Sequence, residues 1–523
     1  MTPRTVWSVP GPSTHDFFRA IYAGFAASRH EVRFADSVLD VPGETSDAVL
    51  HANWLWNRSF RTADENRAFI GSTLSHLDRL LGQGCRLLWT VHEPFNHDRL
   101  DVAAERILHQ GMADRATVVH VLSEATVERC TEHFSIARDR VRVLPHPAFL
   151  PADPSPTGAA RPPRPERRRA IRDALGCGDD VDLVVAVGLR RRYKEHETLA
   201  RAVRRRRPDR GGRPCLFLSA GQSLTFPVDR ITPRLRRLGA ATVVSHVPAD
   251  LFDDLLVAGD VAGLPYSSGL NSGVLAAAVA AATPAVVSDQ LRVPEFSFLG
   301  DETFFDLDGG HDAIDHALDT ALEPSRADHW IEHAEAFAGQ ADPYEISRRF
   351  AGMVDLAADG PVPDADDVGS LLDRLDLPAV REQLNACRLI PVERAYAVAM
   401  RRLADGARAA GRLHVEFDAW VSWFESTAYE ATSDDGIARL LQLGVELEST
   451  REAISALHRA ADLDDRVPRR VAGCETALPD DERIRIGVDD IVGRVDEAPD
   501  PGRRERCDDL ERRLCALIEE DHR

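Results

Sequence analysis

The pattern of apolar and polar residues divides the chain into three parts. In the first two parts short apolar runs alternate with segments of helical periodicity, and the third part is helical throughout. In residues 1–150 the apolar runs are TVWSV, EVRFA, AVLHANW, RLLWTVH, TVVHVL and VRVLP, with amphipathic helical segments between several of them. The alternation restarts at VDLVVAVGL and continues through PCLFLSAG, ATVVSHV, DVAGLPY, PAVVSD and ETFFDL. Nearly continuous apolar strands separated by helices are typical of a parallel sheet that is covered on both faces.

This pattern predicts an α/β protein with two doubly wound parallel-sheet (Rossmann-like) domains and a C-terminal α-helical domain. We expect the first domain in residues 1–150, a Pro/Arg-rich linker and connecting helix in 151–180, the second domain in 181–360 and an acidic α-helical appendage in 361–523. Ligands of open α/β sheets bind outside the carboxyl ends of the strands. Two tandem domains therefore predict a cleft between two such edges.

Composition and charge narrow the classes of partner. The formal net charge is −21, and acidic residues outnumber basic ones by 36 to 23 in 361–523, which disfavours a general nucleic-acid-binding protein. The eight cysteines are scattered without metal or redox spacing, as in a cytoplasmic protein with reduced thiols. The apolar stretch 273–288 is too short to span a membrane and is broken by Pro284. The arginine-rich segments 161–169 and 204–207 are either solvated faces or a peripheral contact with the inner face of a membrane.

Residues 261–288 contain no Asp, Glu, Lys, Arg or His. They predict a strand, a loop, a helix and a second strand, with Asn271 or Ser272 as the helix cap and small apolar residues that let the buried helix approach the sheet. The amides of Ser272, Gly273 and Val274 at the start of this helix suit a phosphate group in the cleft. An ordinary capped core helix explains the stretch equally well.

A second stretch, VVAVGLRRRYKEHETLARAV, predicts a buried strand that ends at Gly188, then basic residues and a helix. Basic residues at the carboxyl end of a parallel strand lie where ligands bind. Of the 64 basic residues in the chain, Lys194 is the only lysine. Since a lysine is a compact charge that can meet a diphosphate, we predict that Lys194 binds an anion; chance survival of one lysine is the alternative.

Several segments resemble one family of enzymes. GLRRRYKEHETLARAV and DVAGLPYSSGLNSGVLAAAVAAATPAVVSD resemble the donor-binding half of family-4-type glycosyltransferases of the GT-B fold, in the subgroup whose loop ends in a Ser-Gly pair. LLWTVHEPFNHD, VVHVLSEATVE and VRVLPHPAFL resemble segments of the N-terminal half. The similarity covers about 350 residues and ends near residue 361. There are two departures: Gly269 and Ala277 stand where many members carry glutamates, and Leu189 stands where an arginine is usual.

The resemblance implies that protein groups neutralise the diphosphate of a nucleotide-sugar donor, without a metal ion or a cofactor. That role falls to Lys194, to a neighbouring arginine, preferably Arg190, and to the helix that begins at Ser272. We further predict that Tyr266 lines the nucleotide pocket and that Glu295 reaches the donor sugar or ribose in place of the missing glutamates. The predicted donor-binding set is Arg190, Lys194, Tyr266, Asn271, Ser272, Gly273 and Glu295.

His92 follows the strand RLLWTV, on the first domain's side of the cleft. An ordinary histidine pKa of about 6.5 suits a proton acceptor at neutral pH. We predict that His92 is the catalytic base or a sugar contact and that Asp98 is the second catalytic candidate. The alternative, in which His92 only binds loop backbone, stays open.

Together these features predict a cytoplasmic, metal-independent glycosyltransferase of the hexosyl type. It would move a sugar from a nucleotide-diphosphate donor to a saccharide, lipid-linked or other small-molecule acceptor, with no role for nucleic acid. One alternative is a nucleotide-sugar epimerase or hydrolase on the same fold. The other is a non-catalytic binding or scaffold protein whose helical C-terminal region recruits a protein partner. The missing glutamates favour the scaffold, whereas Lys194 and the His92 segment favour an enzyme.

Overall fold

A computed structural model shows two six-stranded parallel sheets, the helices that flank them and a group of C-terminal helices. The predicted α/β class with two doubly wound sheets and a helical C-terminal region is confirmed. The structure describes residues 4–11, 16–25, 28–43, 46–55, 63–95, 102–147, 162–206, 213–223, 231–374, 393–409, 411, 413–424, 434–447, 453–454, 456–457 and 501–521.

The first sheet has the strand order β2-β1-β3-β4-β5-β6, with every neighbouring pair parallel. Its strands are β1 (Arg4–Val9), β2 (His30–Phe34), β3 (Val49–Ala52), β4 (Arg86–Val91), β5 (Val118–Val121) and β6 (Val141–Val143). Its helices are α1 (Asp16–Ile21), α2 (Ala63–Gly82), α3 (Val102–Arg115) and α4 (Glu124–Thr131). All residues of β3 and β5 are buried, as expected for strands covered on both faces.

The second sheet has the order β12-β11-β10-β7-β8-β9 and is also parallel throughout. Its strands are β7 (Asp182–Val187), β8 (Cys215–Ala220), β9 (Ala241–Val243), β10 (Val261–Leu264), β11 (Ala285–Ser288) and β12 (Phe304–Phe305). Its helices are α5 (Arg164–Leu175), α6 (His196–Arg205), α7 (Ile231–Arg237), α8 (Ala249–Ala258), α9 (Gly273–Ala280), α10 (Gly310–Ala321) and α11 (Pro324–Gln340).

The chain then returns to the first sheet. Helix α12 (Pro343–Asp359) buries Ile346 and Phe350 in a core shared with Phe17 of α1. Helix α13 (Val368–Asp373) follows and buries Leu371 beside α2. The chain therefore leaves the second sheet after α11, whereas the predicted end of the second domain, at residue 360, lies after α12.

The remaining helices occupy two different environments. Helices α14 (Glu393–Ala409), α15 (Leu413–Phe424) and α16 (Asp434–Glu446) share a core that contains Trp420. Helix α17 (Pro501–Asp521) instead packs on β9 at the edge of the second sheet. There the Glu511 carboxylate accepts a hydrogen bond from the Thr242 backbone amide at 2.7 Å, and Leu510 and Leu514 enter the core of the second sheet.

The arginine-rich segments are largely engaged in ion pairs. Arg168 contacts Asp260 at 2.5 Å, and Arg205 contacts Asp315 at 2.8 Å. The side chains of Arg168 and Arg205 are thus held by neighbouring carboxylates of the second domain. No helix in the described ranges combines the length and the apolar character required to cross a bilayer.

Candidate functional site

The strand order reverses between β1 and β3 in the first sheet and between β7 and β10 in the second, and several predicted site residues lie near these points. Ligands of open α/β sheets bind at such points. The two edges meet directly: the Asn271 side-chain amide donates hydrogen bonds to the His92 carbonyl oxygen at 2.8 Å and to the Thr126 hydroxyl oxygen at 2.9 Å. Asn271 therefore ties the loop before α9 to the first sheet.

Lys194 lies beside the first turn of α9. Strand β7 is followed by Gly188, whose φ of +111° favours glycine, and then by a short turn that ends at Lys194. A Cβ atom on Gly188 would lie 3.9 Å from Lys194 Nζ and 3.8 Å from Val274 Cγ2, so these two atoms are at most about 8 Å apart. The ammonium group and the start of α9 thus border the same small space.

Two further predicted residues join Lys194 to the start of α9. Ser272 caps the helix, its hydroxyl oxygen accepting the Leu275 amide at 3.2 Å. The Tyr266 side chain hydrogen-bonds to Ser272, and Lys194 Nζ lies 4.9 Å from the centre of the Tyr266 ring. We call Lys194, Tyr266, Ser272 and the partly exposed Gly273 the Lys194 cluster.

Positive charge is concentrated around this cluster. Lys194 is 6% exposed; burial, with a smaller effect of the Arg191 charge, lowers its pKa to about 7. Within the described part of the chain, no carboxylate forms an ion pair with Lys194. Burial, together with the charges of Lys194 and Arg190, holds the pKa of His196 well below its ordinary value. A bound anion would favour the charged form of Lys194.

Arg190, the arginine that we predict to assist Lys194, is buried in the second domain. It is 0% exposed, its backbone amide donates to the Gln222 carbonyl at 2.7 Å, and it forms an isolated β-bridge with Ser223. Arg190 therefore adds charge near His196 but presents no exposed atom to a ligand. The preceding Leu189, 38% exposed, occupies the accessible position.

The two missing glutamates follow from the packing of α9 and its preceding loop. Gly269 has a φ of +129°, and a Cβ atom there would lie 3.3 Å from Leu291 Cδ2, so a larger side chain would be strained. Ala277 is 6% exposed within the core of the second sheet. A glutamate at residue 277 would bury a charge at high cost.

Glu295 faces the first sheet's side of the molecule. Its carboxylate accepts a hydrogen bond from the backbone of Glu124, the first residue of α4, and burial raises its pKa. Its Oε2 atom is buried and has no hydrogen-bond partner among the described residues. The structure thus places Glu295 at the contact between the two sheets rather than in the Lys194 cluster.

His92 lies across from the Lys194 cluster, at the carboxyl end of β4. Its ring stacks on Trp54 with centroids 3.9 Å apart and an interplanar angle of 17°, and the Phe17 ring meets it edge-on at 4.7 Å. Its Nε2 atom lies 3.3 Å from Asn53 Oδ1. Asp98, the second catalytic candidate, lies outside the described residues.

Sequence reasoning missed Asn53, Trp54 and Phe17 as neighbours of His92. The signal was present in AVLHANW, where a polar and an aromatic residue directly follow a buried strand next to the point of reversal. Phe17 carried no comparable signal, because its contact with His92 depends on how α1 packs.

A chain of hydrogen bonds runs through the first sheet. The Tyr22 hydroxyl contacts His51 Nδ1, His51 Nε2 lies 2.7 Å from Thr90 Oγ1, Thr90 Oγ1 lies 2.9 Å from His120 Nδ1, and His120 Nε2 lies 3.0 Å from the Leu144 carbonyl. Since a carbonyl only accepts, each ring donates from Nε2 and accepts at Nδ1. Burial lowers the pKa of His120 to about 4 and also lowers that of His51, so both rings are neutral.

Comparisons with known proteins address the fold. No protein-family model and no curated protein matches this chain. Among solved structures, Anabaena HepE in complex with UDP-glucose is similar with a TM-score of 0.51 and 13% identity over 67% of this chain and 99% of that chain. Sucrose-phosphate synthase from Thermosynechococcus elongatus is similar with a TM-score of 0.51 and 15% identity over 68% and 98%. These likenesses confirm the GT-B fold for the part of the chain that forms the two sheets.

Proposed function

We propose that this protein is a GT-B glycosyltransferase that moves a sugar from a nucleoside-diphosphate donor to a hydroxyl acceptor. The observation that carries the proposal is the Lys194 cluster: a buried ammonium group, without an ion pair to any carboxylate that the structure describes, beside the capped start of a charge-free helix. The solved structures of HepE with UDP-glucose and with UDP and glucose support a uridine donor. The acceptor is a saccharide, a lipid-linked sugar or another small molecule.

The chemistry assigns different tasks to the two sides of the cleft. As the bond between the sugar and the diphosphate breaks, negative charge develops on the departing phosphate. Lys194 and the outward-facing amides at the start of α9 stabilise that charge, and they are already in place before the reaction. Arg190 contributes through its field, since it has no exposed atom.

His92 serves the sugar side. Its partly exposed imidazole is held by Trp54 and Phe17 at the edge that faces the Lys194 cluster. From there it accepts a hydrogen bond or a proton from a hydroxyl group of the sugar or the acceptor. Glu295, at the contact between the sheets, would stabilise that contact and act on the donor only indirectly.

We infer that the reaction takes place in the cytoplasm. Cys85, Cys130, Cys177, Cys215 and Cys507 are buried and free among the described residues, as expected for a reducing compartment.

The test is a binding panel with UDP, GDP, ADP and dTDP, followed by transfer assays with the matching sugar nucleotides. The proposal expects one nucleotide to raise the melting temperature, because a ligand at a hundredfold excess over its Kd adds roughly 2.7 kcal/mol of stability. Release of that nucleotide should then depend on an added acceptor. Stabilisation by none of the four at millimolar concentration contradicts the proposal, and acceptor-independent turnover identifies an epimerase or a hydrolase instead.

A further inference from the structure

We propose that Asn53 is a positioning residue that fixes the proton of His92 on Nε2, so that His92 receives a hydroxyl hydrogen bond or a proton at Nδ1. The inference deepens the proposed function and rests on it for its catalytic meaning. The placement of the proton itself follows from the geometry around Asn53 alone.

The first step concerns the orientation of the Asn53 amide. Asn53 directly follows β3 and is 3% exposed. Its backbone amide donates to the Val9 carbonyl oxygen at 2.8 Å, and its side-chain Nδ2 donates to the same oxygen at 3.3 Å. Because a carbonyl oxygen can only accept, the NH₂ group must face Val9, and Oδ1 must point the other way.

The second step concerns the hydrogen bond between the Asn53 amide oxygen and the His92 imidazole. Asn53 Oδ1 lies 3.3 Å from His92 Nε2. An amide oxygen can only accept, so Nε2 carries the hydrogen in this contact. In a neutral imidazole the other nitrogen, Nδ1, is then the acceptor. The Val9 carbonyl thus determines the tautomer of His92 through one intervening side chain.

The third step concerns the ring orientation, which must keep Nε2, and not Cε1, opposite Asn53 Oδ1. Trp54 covers one face of the His92 ring at 3.9 Å, and Phe17 meets the ring edge-on at 4.7 Å. Asn271 holds the His92 carbonyl from the other sheet at 2.8 Å. A 180° flip of the ring would place Cε1 instead of Nε2 opposite Asn53 Oδ1 and break that bond. The hydrogen bond therefore selects the orientation, and the two aromatic contacts hinder rotation out of it.

The direct test is the tautomer of His92 in the full-length wild-type protein. We would label histidine with ¹⁵N and assign the His92 signals by their loss in His92→Gln. The expected result above the titration range is a neutral ring protonated at Nε2. A ring protonated at Nδ1 overturns the proposal, whether or not the protein shows any transferase activity.

The functional test replaces the amide oxygen. In Asn53→Asp the carboxylate still accepts from Nε2, but it also favours the protonated ring. The acidic limb of the kcat/KM profile should therefore move up by about one pH unit, with the affinity for the donor nucleotide unchanged. In Asn53→Ala the tautomer is no longer selected, and kcat should fall by about tenfold.

The matched control is Gln83→Glu, an amide-to-carboxylate change at an exposed position after α2. It should leave the pH profile and kcat unchanged. An unshifted profile in folded Asn53→Asp, or a profile that moves equally in Gln83→Glu, contradicts the positioning role. If no variant and no wild-type sample binds a nucleotide, the proposed function fails while the tautomer measurement still decides the assignment of the proton.

Discussion

The carboxyl edges of the two sheets share an architecture and differ in chemistry. At the first, the His92 ring packs against aromatic rings, and the sheet behind it contains two histidines that burial keeps neutral and that a continuous chain of hydrogen bonds connects. At the second, Lys194 and Arg190 are buried with their positive charges close to His196. We therefore propose that the first edge serves neutral hydrogen-bond chemistry and that the second binds an anion.

The greatest change that we expect is a loss of stability of the first sheet at acidic pH. The folded-state pKa values of His51 and His120 lie below the unfolded value of about 6.5. Their neutral forms therefore stabilise the fold above pH 6.5, and this stability is lost as the pH falls towards 4. Between pH 7 and pH 5 we expect the titration of His120 alone to remove about 2 kcal/mol from the unfolding free energy, measured by hydrogen exchange of β3, β4 and β5. His51, His109 and His146, whose pKa values burial also lowers, add to this loss. His120→Gln, with one titrating ring fewer, should lose about 2 kcal/mol less than the wild type over this pH range, and an equal loss would contradict the assignment.

The second prediction concerns the contribution of Lys194 to the affinity for UDP. Lys194→Ala should weaken UDP binding by about 100-fold, since a hydrogen bond to a charged group is worth up to about 3 kcal/mol. Isothermal titration calorimetry measures this change. The control is Arg205→Ala, which removes a cation paired with Asp315 on α10 and should change the affinity by less than about twofold. Equal affinities for Lys194→Ala and the wild type would remove the lysine from the site.

A smaller change is expected in the pH dependence of the affinity for UDP. Because the pKa of Lys194 is lowered to about 7, its charged form becomes the minor form above neutral pH. A phosphate binds the charged form, so UDP affinity should fall by up to about tenfold per pH unit between pH 7 and pH 9, a range in which UDP itself is fully ionised. Lys194→Arg, which stays charged, should bind with a flat profile. A flat profile in the wild type would show that the ammonium group does not titrate with binding.

The smallest effect concerns the contact between the two edges. Asn271→Ala removes the hydrogen bonds to the His92 carbonyl and the Thr126 hydroxyl, at a cost of about 1 kcal/mol. We expect kcat to fall by about fivefold with the UDP affinity unchanged, as measured by steady-state kinetics and calorimetry. Thr126→Val, which removes one of the two acceptors, should have a smaller effect. A loss of UDP affinity comparable to that of Lys194→Ala would instead make Asn271 a donor ligand, as the sequence predicts.

The sequence predicts what depends on local pattern. The strands follow from apolar runs, and the Ser272 cap follows from a polar residue before a helical run, because a cap satisfies amides only three residues away. The proximity of Lys194 to α9 could also be predicted, since β7 and β10 are adjacent at the reversal of strand order.

Other features depend on contacts between distant segments and could not be predicted. Arg190 is buried because its segment pairs with Gln222 and Ser223 after β8. Asn271 and Glu295 find their partners on the other sheet. The return of α12 to the first sheet likewise depends on tertiary packing, since its amphipathic pattern fits either sheet.

Helix α17 has a consequence for how the protein should be shortened. An exposed strand edge invites pairing with a second molecule. Here the Thr242 amide of the edge strand β9 is occupied by Glu511, and the apolar side of the helix covers the neighbouring core. An expression fragment that ends at residue 360 would lack α17 and expose the edge of β9. Self-association of such a fragment would therefore result from the loss of this helix and not from misfolding of the two sheets.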